Sequence, residues 1–455
     1  MGIFNALFSA VGGLQAQSFA LENISGNIAN SQTVGYKRLD TSFQDLISSD
    51  ASTVARQFAG SVLARSQATN SIQGAVQSTA VDTNIAINGE GFFVVSSRIG
   101  DNNGQPIFSG TDLYTRRGDF DLDNSGFLVN GGGYYLQALP LDPSTGNPQG
   151  STPEAINVGA GFLAAEATTT IEYRANLASF PRTTDADSDV ADSELLDPAD
   201  FTNDPTTGGA GTVIGSENTL FLENSIAGGS ITAFDSNGTP VDIQLRWAKT
   251  SNTSPETWNL FYQNDASATG TDVGWTNVGA DYEFDASGTM TSSTNTVTVN
   301  NLTVRGLNLG NITLSHGSSG LTQFDDSNGV ARITDLTQNG SPAGELVDVS
   351  IEDGRIIANY SNNRSQAIAQ IPLAVFNAPN QLKLEDGGAF SANTQSGQAT
   401  LGGTGSITGN AVEASNTDIA SEFSKLIVTQ QAYTANTRVV TTTDEMLSEI
   451  TNIIR

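Results

Sequence analysis

Residues 419–454 read IASEFSKLIVTQQAYTANTRVVTTTDEMLSEITNII. Within this stretch an apolar residue returns at every seventh position, at Ile419, Leu426, Tyr433, Val440, Leu447 and Ile454. A seven-residue apolar repeat keeps one face of a helix turned towards a partner helix, as in a coiled coil. The stretch therefore predicts a long C-terminal helix with a continuous apolar seam, and we assign Phe423 to the same seam.

The N-terminal region carries a matching repeat. Its seven-residue series is Leu7, Leu14, Leu21 and Ile28, with Phe4 and Val11 at the interleaved positions. Glu22 is the only charged residue among the first 36, which suits a helix surrounded by other protein. We predict that the two terminal helices pair, and that these apolar residues form a core through which copies of the chain assemble.

Length, charge and composition exclude several classes of function. A chain of 455 residues is too long for a single core, so several domains are expected. The net charge of −29 argues against binding nucleic acid, whose phosphates require a basic surface. The absence of cysteine excludes disulfides and thiolate chemistry.

The N-terminal region does not have the pattern of a cleaved secretory signal. Such a signal needs a basic segment before its apolar one, but the first basic residue here is Lys37. No stretch reaches the roughly 18 apolar residues of a membrane span. We therefore expect no membrane insertion, and export without a cleaved signal peptide if the protein leaves the cell.

The region between the ends reads as β structure, with turns such as Asn124-Ser125-Gly126 at the tip of a hairpin over 121–129. Residues 149–359 hold 28 acidic and 7 basic residues, so −21 of the net charge lies there. The fold class expected is mainly β with helical termini, in a nested multidomain rod. The predicted parts are an N-terminal core helix (1–30), an extended connector (31–70), an inner β domain in two pieces (71–148 and 360–411), an acidic outer β insert of one or two subdomains (149–359) and a C-terminal core helix (412–455).

We find no catalytic or metal-binding pattern in the sequence. His316, the only histidine, has no second base near it and is predicted to lie in a surface loop. Asp121, Asp123 and Ser125 resemble the start of a calcium loop, but Gly132 stands where the bidentate glutamate should be. We therefore expect no enzymatic activity and no cofactor.

Several long motifs resemble the bacterial flagellar rod and hook axial proteins. They are LENISGNIAN (21–30), TVGYKR (33–38), GEGFFVV (89–95), TRRGDF (115–120), IPLAVF (371–376) and VEASNTDIASEF (412–423). The signature residues within them are Asn27, Asn30, Gly35, Tyr36, Gly91, Phe92, Phe93, Ser415, Asn416 and Asp418. The resemblance covers roughly residues 1–140 and 360–455.

The long acidic insert, with FDSNGTP at 234–240, is similar to that of hook proteins rather than shorter rod proteins. This resemblance implies a subunit that polymerises into a hollow, curved, flexible tube outside the cell, and that transmits torque from rod to filament. The implied partners are further copies of the chain, the distal rod protein, the hook cap protein, the hook–filament junction protein and the flagellar export apparatus.

Two alternative interpretations remain open at this point. The first is a distal rod or hook–filament junction protein, which would share the terminal motifs. The second is a secreted acidic β adhesin, which would account for the insert but not for the paired terminal repeats.

Overall fold

A computed structural model describes residues 3–45, 62–102, 105–159, 161–208, 211–291, 295–318 and 320–453. The described residues are mainly β, with helix α1 at Ile3–Ala29, a short helix α2 at Asn218–Glu223 and helix α3 at Ile419–Ile453. The chain divides into two compact units. The discontinuous unit comprises Met1–Gly161 and Leu346–Arg455, and the inserted unit comprises Phe162–Glu345.

The first part of the discontinuous unit follows α1 with eleven strands in the described residues. They are β1 (Leu39–Asp45), β2 (Val62–Ala68), β3 (Val76–Ser78), β4 (Ile85–Asn88), β5 (Phe92–Asn102), β6 (Gln105–Phe108), β7 (Leu113–Thr115), β8 (Phe120–Leu122), β9 (Leu128–Asn130), β10 (Tyr134–Pro140) and β11 (Glu154–Ala155). The predicted hairpin over 121–129 is confirmed, because β8 pairs antiparallel with β9.

The inserted unit is a β structure built on two five-stranded sheets, with a separate two-stranded pair of β19 and β20. Its strands are β12 (Thr170–Asn176), β13 (Thr212–Ile214), β14 (Ile226–Phe234), β15 (Pro240–Ser251), β16 (Glu256–Gln263), β17 (Val273–Phe284), β18 (Thr296–Val299), β19 (Thr303–Val304), β20 (Leu307–Asn308), β21 (Ile312–Ser315), β22 (Leu321–Thr322) and β23 (Arg332–Gln338). One sheet has the order β13-β17-β16-β15-β14 and the other β18-β21-β12-β22, with β23 beside β12. Aromatic side chains such as Trp247, Trp258 and Tyr282 fill the core that the two sheets share.

The chain then returns to the discontinuous unit. The remaining strands are β24 (Leu346–Glu352), β25 (Arg355–Tyr360), β26 (Ser365–Gln370), β27 (Leu373–Val375), β28 (Lys383–Leu384), β29 (Ala389–Ser391), β30 (Thr400–Leu401), β31 (Ser406–Gly409) and β32 (Ala411–Glu413). They pair with the first part at five places: β10 with β26, β5 with β27, β7 with β29, β3 with β32 and β4 with β31. This unit is therefore closed only when both parts of the chain are present.

Two segments differ from the sequence-based expectation. Residues 31–70, expected to be an extended connector, contain the antiparallel pair β1 and β2. The inserted unit, at 162–345, is shorter than the predicted insert of 149–359. The reason is that β11 pairs with β10, and β24 pairs with β25 in the sheet of the discontinuous unit.

Neither a membrane span nor a metal-binding cluster is found in the described part of the chain. None of its helices is both long and apolar enough to cross a membrane. Its His, Asp and Glu side chains form no group of three that could hold a metal ion.

Candidate functional site

Helices α1 and α3 pack against each other, and small residues line the contact on α1. Its buried residues are Ala10, Gly13, Ala16, Ala20, Ile24 and Asn27. A Cβ atom at Gly13 would lie 2.8 Å from Nδ2 of Asn436, so the side chain of Asn436 fills the space next to this glycine. Asn27 meets Glu422 while Gly13 meets Asn436, which makes the two helices antiparallel.

The predicted seam residues lie beside this contact rather than in its centre. Leu7, Leu14, Leu21 and Ile28 of α1, and Leu426, Val440 and Leu447 of α3, are half-buried. Phe4, Val11, Ile419, Phe423 and Tyr433 are exposed. Ile454 lies outside the described residues. The heptad pattern thus identified the apolar side of each helix, whereas the small residues next to it determine the contact within one chain. Assembly through the apolar side remains a prediction.

Asn27 joins α1 to the start of β1 and to α3. Its Nδ2 donates to the carbonyl oxygen of Leu39 at 2.9 Å and to Oε2 of Glu422 at 3.1 Å. Its Oδ1 accepts from the backbone N–H of Leu39 at 2.9 Å and from the Tyr36 hydroxyl at 3.3 Å. Burial, reinforced by the Glu422 carboxylate, raises the pKa of Tyr36. This buried amide has partners on three segments, which accounts physically for its place in the signature.

Asn30 and Gly35 shape the turn that follows α1. Asn30 Nδ2 donates to the Gly26 carbonyl at 3.0 Å, and its Oδ1 accepts from the Thr33 hydroxyl at 3.1 Å. Gly35 has φ +67°, and a Cβ there would lie 2.6 Å from the Arg117 backbone nitrogen. This position therefore requires glycine for both conformation and space.

A buried ion cluster follows this turn. Glu413 Oε1 is paired with the Lys37 ammonium and accepts from the Gly74 N–H at 2.7 Å, while its Oε2 lies 3.2 Å from Nη1 of Arg116. The side chains of Lys37, Arg116 and Glu413 are 1%, 4% and 0% exposed. Burial lowers the pKa of Lys37, and Glu413 opposes that shift.

The two cations are also held by backbone carbonyls. Lys37 Nζ donates to the Ile72 oxygen at 2.6 Å, and Arg116 Nη2 donates to the Gly89 oxygen at 2.8 Å. One carboxylate from the C-terminal segment thus pairs with two cations from the N-terminal part of the chain. We did not predict this cluster, although the motifs TVGYKR, TRRGDF and VEASNTDIASEF each contain one of its members. We call it the Glu413 cluster.

Ser415, Asn416 and Asp418 organise the start of α3. Asn416 Oδ1 accepts from the Arg38 N–H at 2.8 Å, and its Nδ2 donates to the Thr69 hydroxyl at 3.0 Å. Asp418 Oδ1 accepts from the Ser421 N–H at 2.7 Å, which is the geometry of a helix N-cap. The Ser415 hydroxyl accepts from the Thr417 N–H at 3.2 Å.

Gly91, Phe92 and Phe93 lie elsewhere, in the core of the discontinuous unit. Gly91 has φ +132° and faces Leu373. Phe92 makes edge-on ring contacts with Phe376 and Phe390, and the Phe93 ring packs against Phe120. These signature residues support the β sheet rather than the helix pair. The other signature residues lie in two places, at the end of α1 with the turn that follows it and around the start of α3. We call the region that these two segments form together the terminal junction.

The prediction that His316 lies in a surface loop is wrong. His316 is fully buried in the inserted unit, directly after β21. Its Nδ1 lies 2.9 Å from the Tyr173 carbonyl and its Nε2 lies 3.0 Å from the Tyr282 hydroxyl. Because a carbonyl can only accept, Nδ1 carries the proton and Nε2 accepts from Tyr282. Burial lowers the pKa of His316.

The aspartates of the calcium-like turn are occupied by backbone donors. Asp123 Oδ1 accepts from the N–H groups of Ser125 and Phe127, at 2.9 and 2.8 Å. Asp235 and Asp285 make the same pair of bonds in the turns Asp235–Thr239 and Asp285–Thr289. Each of these carboxylates closes its own hairpin, so the turn has a structural explanation that needs no ion.

Family profiles match four stretches of the chain. The profile described as flagella basal body rod protein matches residues 7–37, and that of the flagellar hook protein FlgE/F/G D1 domain matches 86–173. The flagellar basal body protein FlaE D2 domain matches 226–341, and the flagellar basal body rod FlgEFG protein C-terminal matches 408–453. The two terminal matches include both sides of the terminal junction.

Two relatives that match over nearly the whole chain are flagellar hook proteins. The flagellar hook protein FlgE of Escherichia coli (strain K12) is 30% identical, over 98% of this chain and 100% of its own length. That of Brucella suis biovar 1 is 29% identical over 100% of both chains. A crystal structure of Helicobacter pylori flagellar hook protein FlgE2 is similar with a TM-score of 0.46 and 16% identity, and it covers 74% of this chain and 100% of its own. At 30% identity over nearly the whole length of both chains, this protein belongs to the family of the flagellar hook protein FlgE.

Proposed function

We propose that this chain is the structural subunit of a flagellar hook, which polymerises into a hollow, curved and flexible tube and transmits torque from rod to filament. The observation that carries the proposal is the exposure of large apolar side chains on both terminal helices of a single chain. They are Phe4, Phe8 and Val11 on α1, and Ile419, Phe423, Ile427, Val428, Tyr433, Val439, Met446 and Ile450 on α3. A large exposed apolar surface on such a chain marks an interaction site.

The composition of the helix contact supports polymerisation through these surfaces. Small residues such as Ala16 and Ala20 make the contact within the chain, which leaves the larger residues available to neighbours. In this proposal the predicted seam residues, from Phe4 to Ile28 and from Ile419 to Ile454, pack between copies in the polymer. The terminal junction fixes the angle at which each helix pair leaves the β structure.

The acidic insert has a separate role in the proposal. Because −21 of the −29 net charge lies in residues 149–359, this region of neighbouring copies repels rather than adheres. Any contacts between these acidic regions are therefore weak and hydrated, and such contacts can break and re-form as the tube bends. We place the insert on the outside of the tube for this reason.

The partners in this proposal are other copies of the chain, the distal rod protein, the hook cap protein and the hook–filament junction protein. The flagellar export apparatus would deliver the chain outside the cell without cleavage of a signal peptide. The proposed role is mechanical and requires neither catalysis nor a cofactor, and neither nucleic acid nor membrane insertion forms part of it.

The experiment that tests the role of the helices places a charge on both. The double variant Leu14→Asp with Leu426→Asp should abolish polymerisation, because a carboxylate would be buried in each packed helix. The three tryptophans all lie in the inserted unit, so their fluorescence should still report a folded unit. The matched control is Gln15→Asp with Gln430→Asp, which adds the same charge at exposed positions. Normal hooks from the first variant would refute the proposal.

Electron microscopy of a strain that lacks this gene, beside its complemented parent, tests the position in the flagellum. Rods that end without hooks or filaments are the expected result. Hooks without filaments would instead indicate a junction protein, and intact flagella would favour the adhesin.

A further inference from the structure

A groove of about 620 Å³ lies beside the terminal junction, between α1, β1 and α3. Ala20 and Ile24 of α1 are among its lining residues and are buried. Phe43 and Val428, also in its lining, are 48% and 65% exposed. The groove therefore combines a closed apolar wall with an open apolar rim.

The charged groups at this groove neutralise one another. Lys425 Nζ lies 3.0 Å from Asp40 Oδ1 and 2.7 Å from Glu422 Oε1, and Nε of Arg38, which is outside the lining, lies 3.5 Å from Asp40. Two cations thus balance two carboxylates. In a chain of net charge −29, an electrically balanced apolar groove is a place where a second copy can approach without net repulsion.

The beginning of α1 carries an apolar stripe of complementary character. Phe4, Phe8 and Val11 lie at i, i+4 and i+7, so they share one helix face, and they are 61%, 70% and 39% exposed. Residues 3–21 of α1 contain no charged side chain. This stripe carries no charge that would oppose its entry into a neutral groove.

The stripe cannot occupy the groove of its own chain. Ala20 lies twelve residues beyond Phe8 on the same helix, a separation of about 18 Å at 1.5 Å per residue. A rigid helix cannot fold back over that distance, so an occupant of this kind must come from another molecule.

We propose that the groove of one copy receives the Phe4–Val11 stripe of α1 from a second copy. This inference rests on the proposed function and specifies which surfaces meet. Groove and stripe are different surfaces, so the contact is head-to-tail, and its repetition builds an open helical array rather than a closed dimer. With parallel α1 helices, neighbours that share this contact are displaced by about 18–24 Å along the helix.

The absence of cysteine makes the contact testable by disulfide cross-linking. The double variant Phe8→Cys with Val428→Cys is polymerised from purified protein and then oxidised. The expected result is a ladder of dimers, trimers and larger species on a non-reducing gel, because each copy carries one half of two contacts. A mixture of the two single variants should give heterodimers but no ladder. A disulfide needs Cα atoms about 4.4–6.8 Å apart, whereas Phe8 lies about 18 Å from the groove of its own chain. A bond within one chain is therefore excluded.

The matched control pair is Phe8→Cys with Ile419→Cys. Ile419 is 41% exposed on α3 but is not among the residues that line the groove, and it lies about 14 Å from Val428 along that helix, further from Phe8 of its own chain. No ladder is expected from this pair. Equal ladders from both pairs would mean random collision and would overturn the inference.

A second pair protects the test against a variant that fails to polymerise. Ser424 lines the same groove and Val11 belongs to the same stripe, and the changes from serine and valine to cysteine are small, so Val11→Cys with Ser424→Cys is the replacement pair. Polymers that form normally but give no ladder with either groove pair would overturn the inference while leaving the proposed function intact. If the unmodified chain forms no polymer, it is the proposed function that fails.

Discussion

The inserted unit and the terminal helix pair bury their large side chains in opposite ways. In the inserted unit Trp247, Trp258 and Tyr282 are each fully buried within one chain. In the helix pair, by contrast, small residues make the contact, and Phe4 and Phe8 are exposed. The first region completes its core alone, whereas the second has apolar surface left to bury. One chain can therefore hold a part that completes its core alone beside a part that is completed only by neighbouring copies.

The largest effect is expected where the two ends of the chain are joined. Glu413→Gln leaves Lys37 and Arg116 buried without their carboxylate, and removing one partner of a buried ion pair typically costs about 3–5 kcal/mol. We expect the discontinuous unit to unfold at a lower denaturant concentration, as measured by amide hydrogen exchange of its strands. Tryptophan fluorescence, which reports only the inserted unit, should show an unchanged transition.

The control for this prediction is Asp101→Asn, which removes one partner of the Arg98–Asp101 pair. Both of its side chains are more than 40% exposed, and exposed pairs of this kind contribute little to stability. Equal losses from the buried and the exposed substitution would show that the Glu413 cluster has no special role in joining the ends.

A smaller effect is expected at the close contact of the helices. Gly13→Leu would force a side chain against Asn436, and overpacking of this kind costs about 1–3 kcal/mol. Gly13→Ala should be nearly neutral, because the Asn436 side chain can move and alanine gains about 1 kcal/mol in helix propensity. Hydrogen exchange at α1 and the critical concentration for polymerisation would measure both. Equal tolerance of leucine and alanine would mean that the helices do not approach as closely as Gly13 implies.

The sequence indicated both terminal helices, but not the contact between them. A heptad pattern reports where apolar residues recur, and Leu7, Leu14 and Leu21 do share a face. The contact follows Gly13 and Ala16 instead, since small residues let two backbones come together. A pattern of hydrophobicity contains no information about that distance.

The Glu413 cluster shows a second limit of reasoning from the sequence. Lys37 and Glu413 are 376 positions apart, and charged residues in polar motifs are normally exposed. Their burial depends on the pairing of β3 with β32, which brings the two ends together. His316 was misplaced for a related reason, because glycine and serine follow it although the residue itself is covered by Tyr173 and Tyr282.

A further effect is expected in the core of the inserted unit, around His316. Tyr282→Phe removes the hydroxyl that donates to His316 Nε2 and leaves a buried acceptor unpaired, which costs about 1–3 kcal/mol. The midpoint of unfolding, followed by tryptophan fluorescence, should fall. Tyr262→Phe, in the same unit but outside this chain of hydrogen bonds, is the control. A midpoint that falls equally in both variants would contradict the role given to the hydroxyl.

The last and smallest effect depends on pH and separates the two regions again. The pKa of His316 is lowered in the folded state, so its neutral form is favoured by folding. The associated stability is complete above the unfolded value of about 6.5 and is lost as the pH falls from there through the folded pKa. Around the ring, Tyr173 and Tyr282 stay neutral because burial raises their pKa values, and Glu172 acts in the opposite direction by favouring the charged ring.

We therefore expect the tryptophan-monitored midpoint of the inserted unit to decrease as the pH falls below about 6.5. His316→Gln, which retains a donor and an acceptor, should remove the decrease in that window. Asp204, Asp265 and Asp285 cannot produce it, because their hydrogen bonds lower their pKa values and they titrate only below about 3.9. The single histidine lies in the inserted unit, so exchange at α1 should not follow this titration. A matching decrease in the His316→Gln variant would assign the pH dependence to another group.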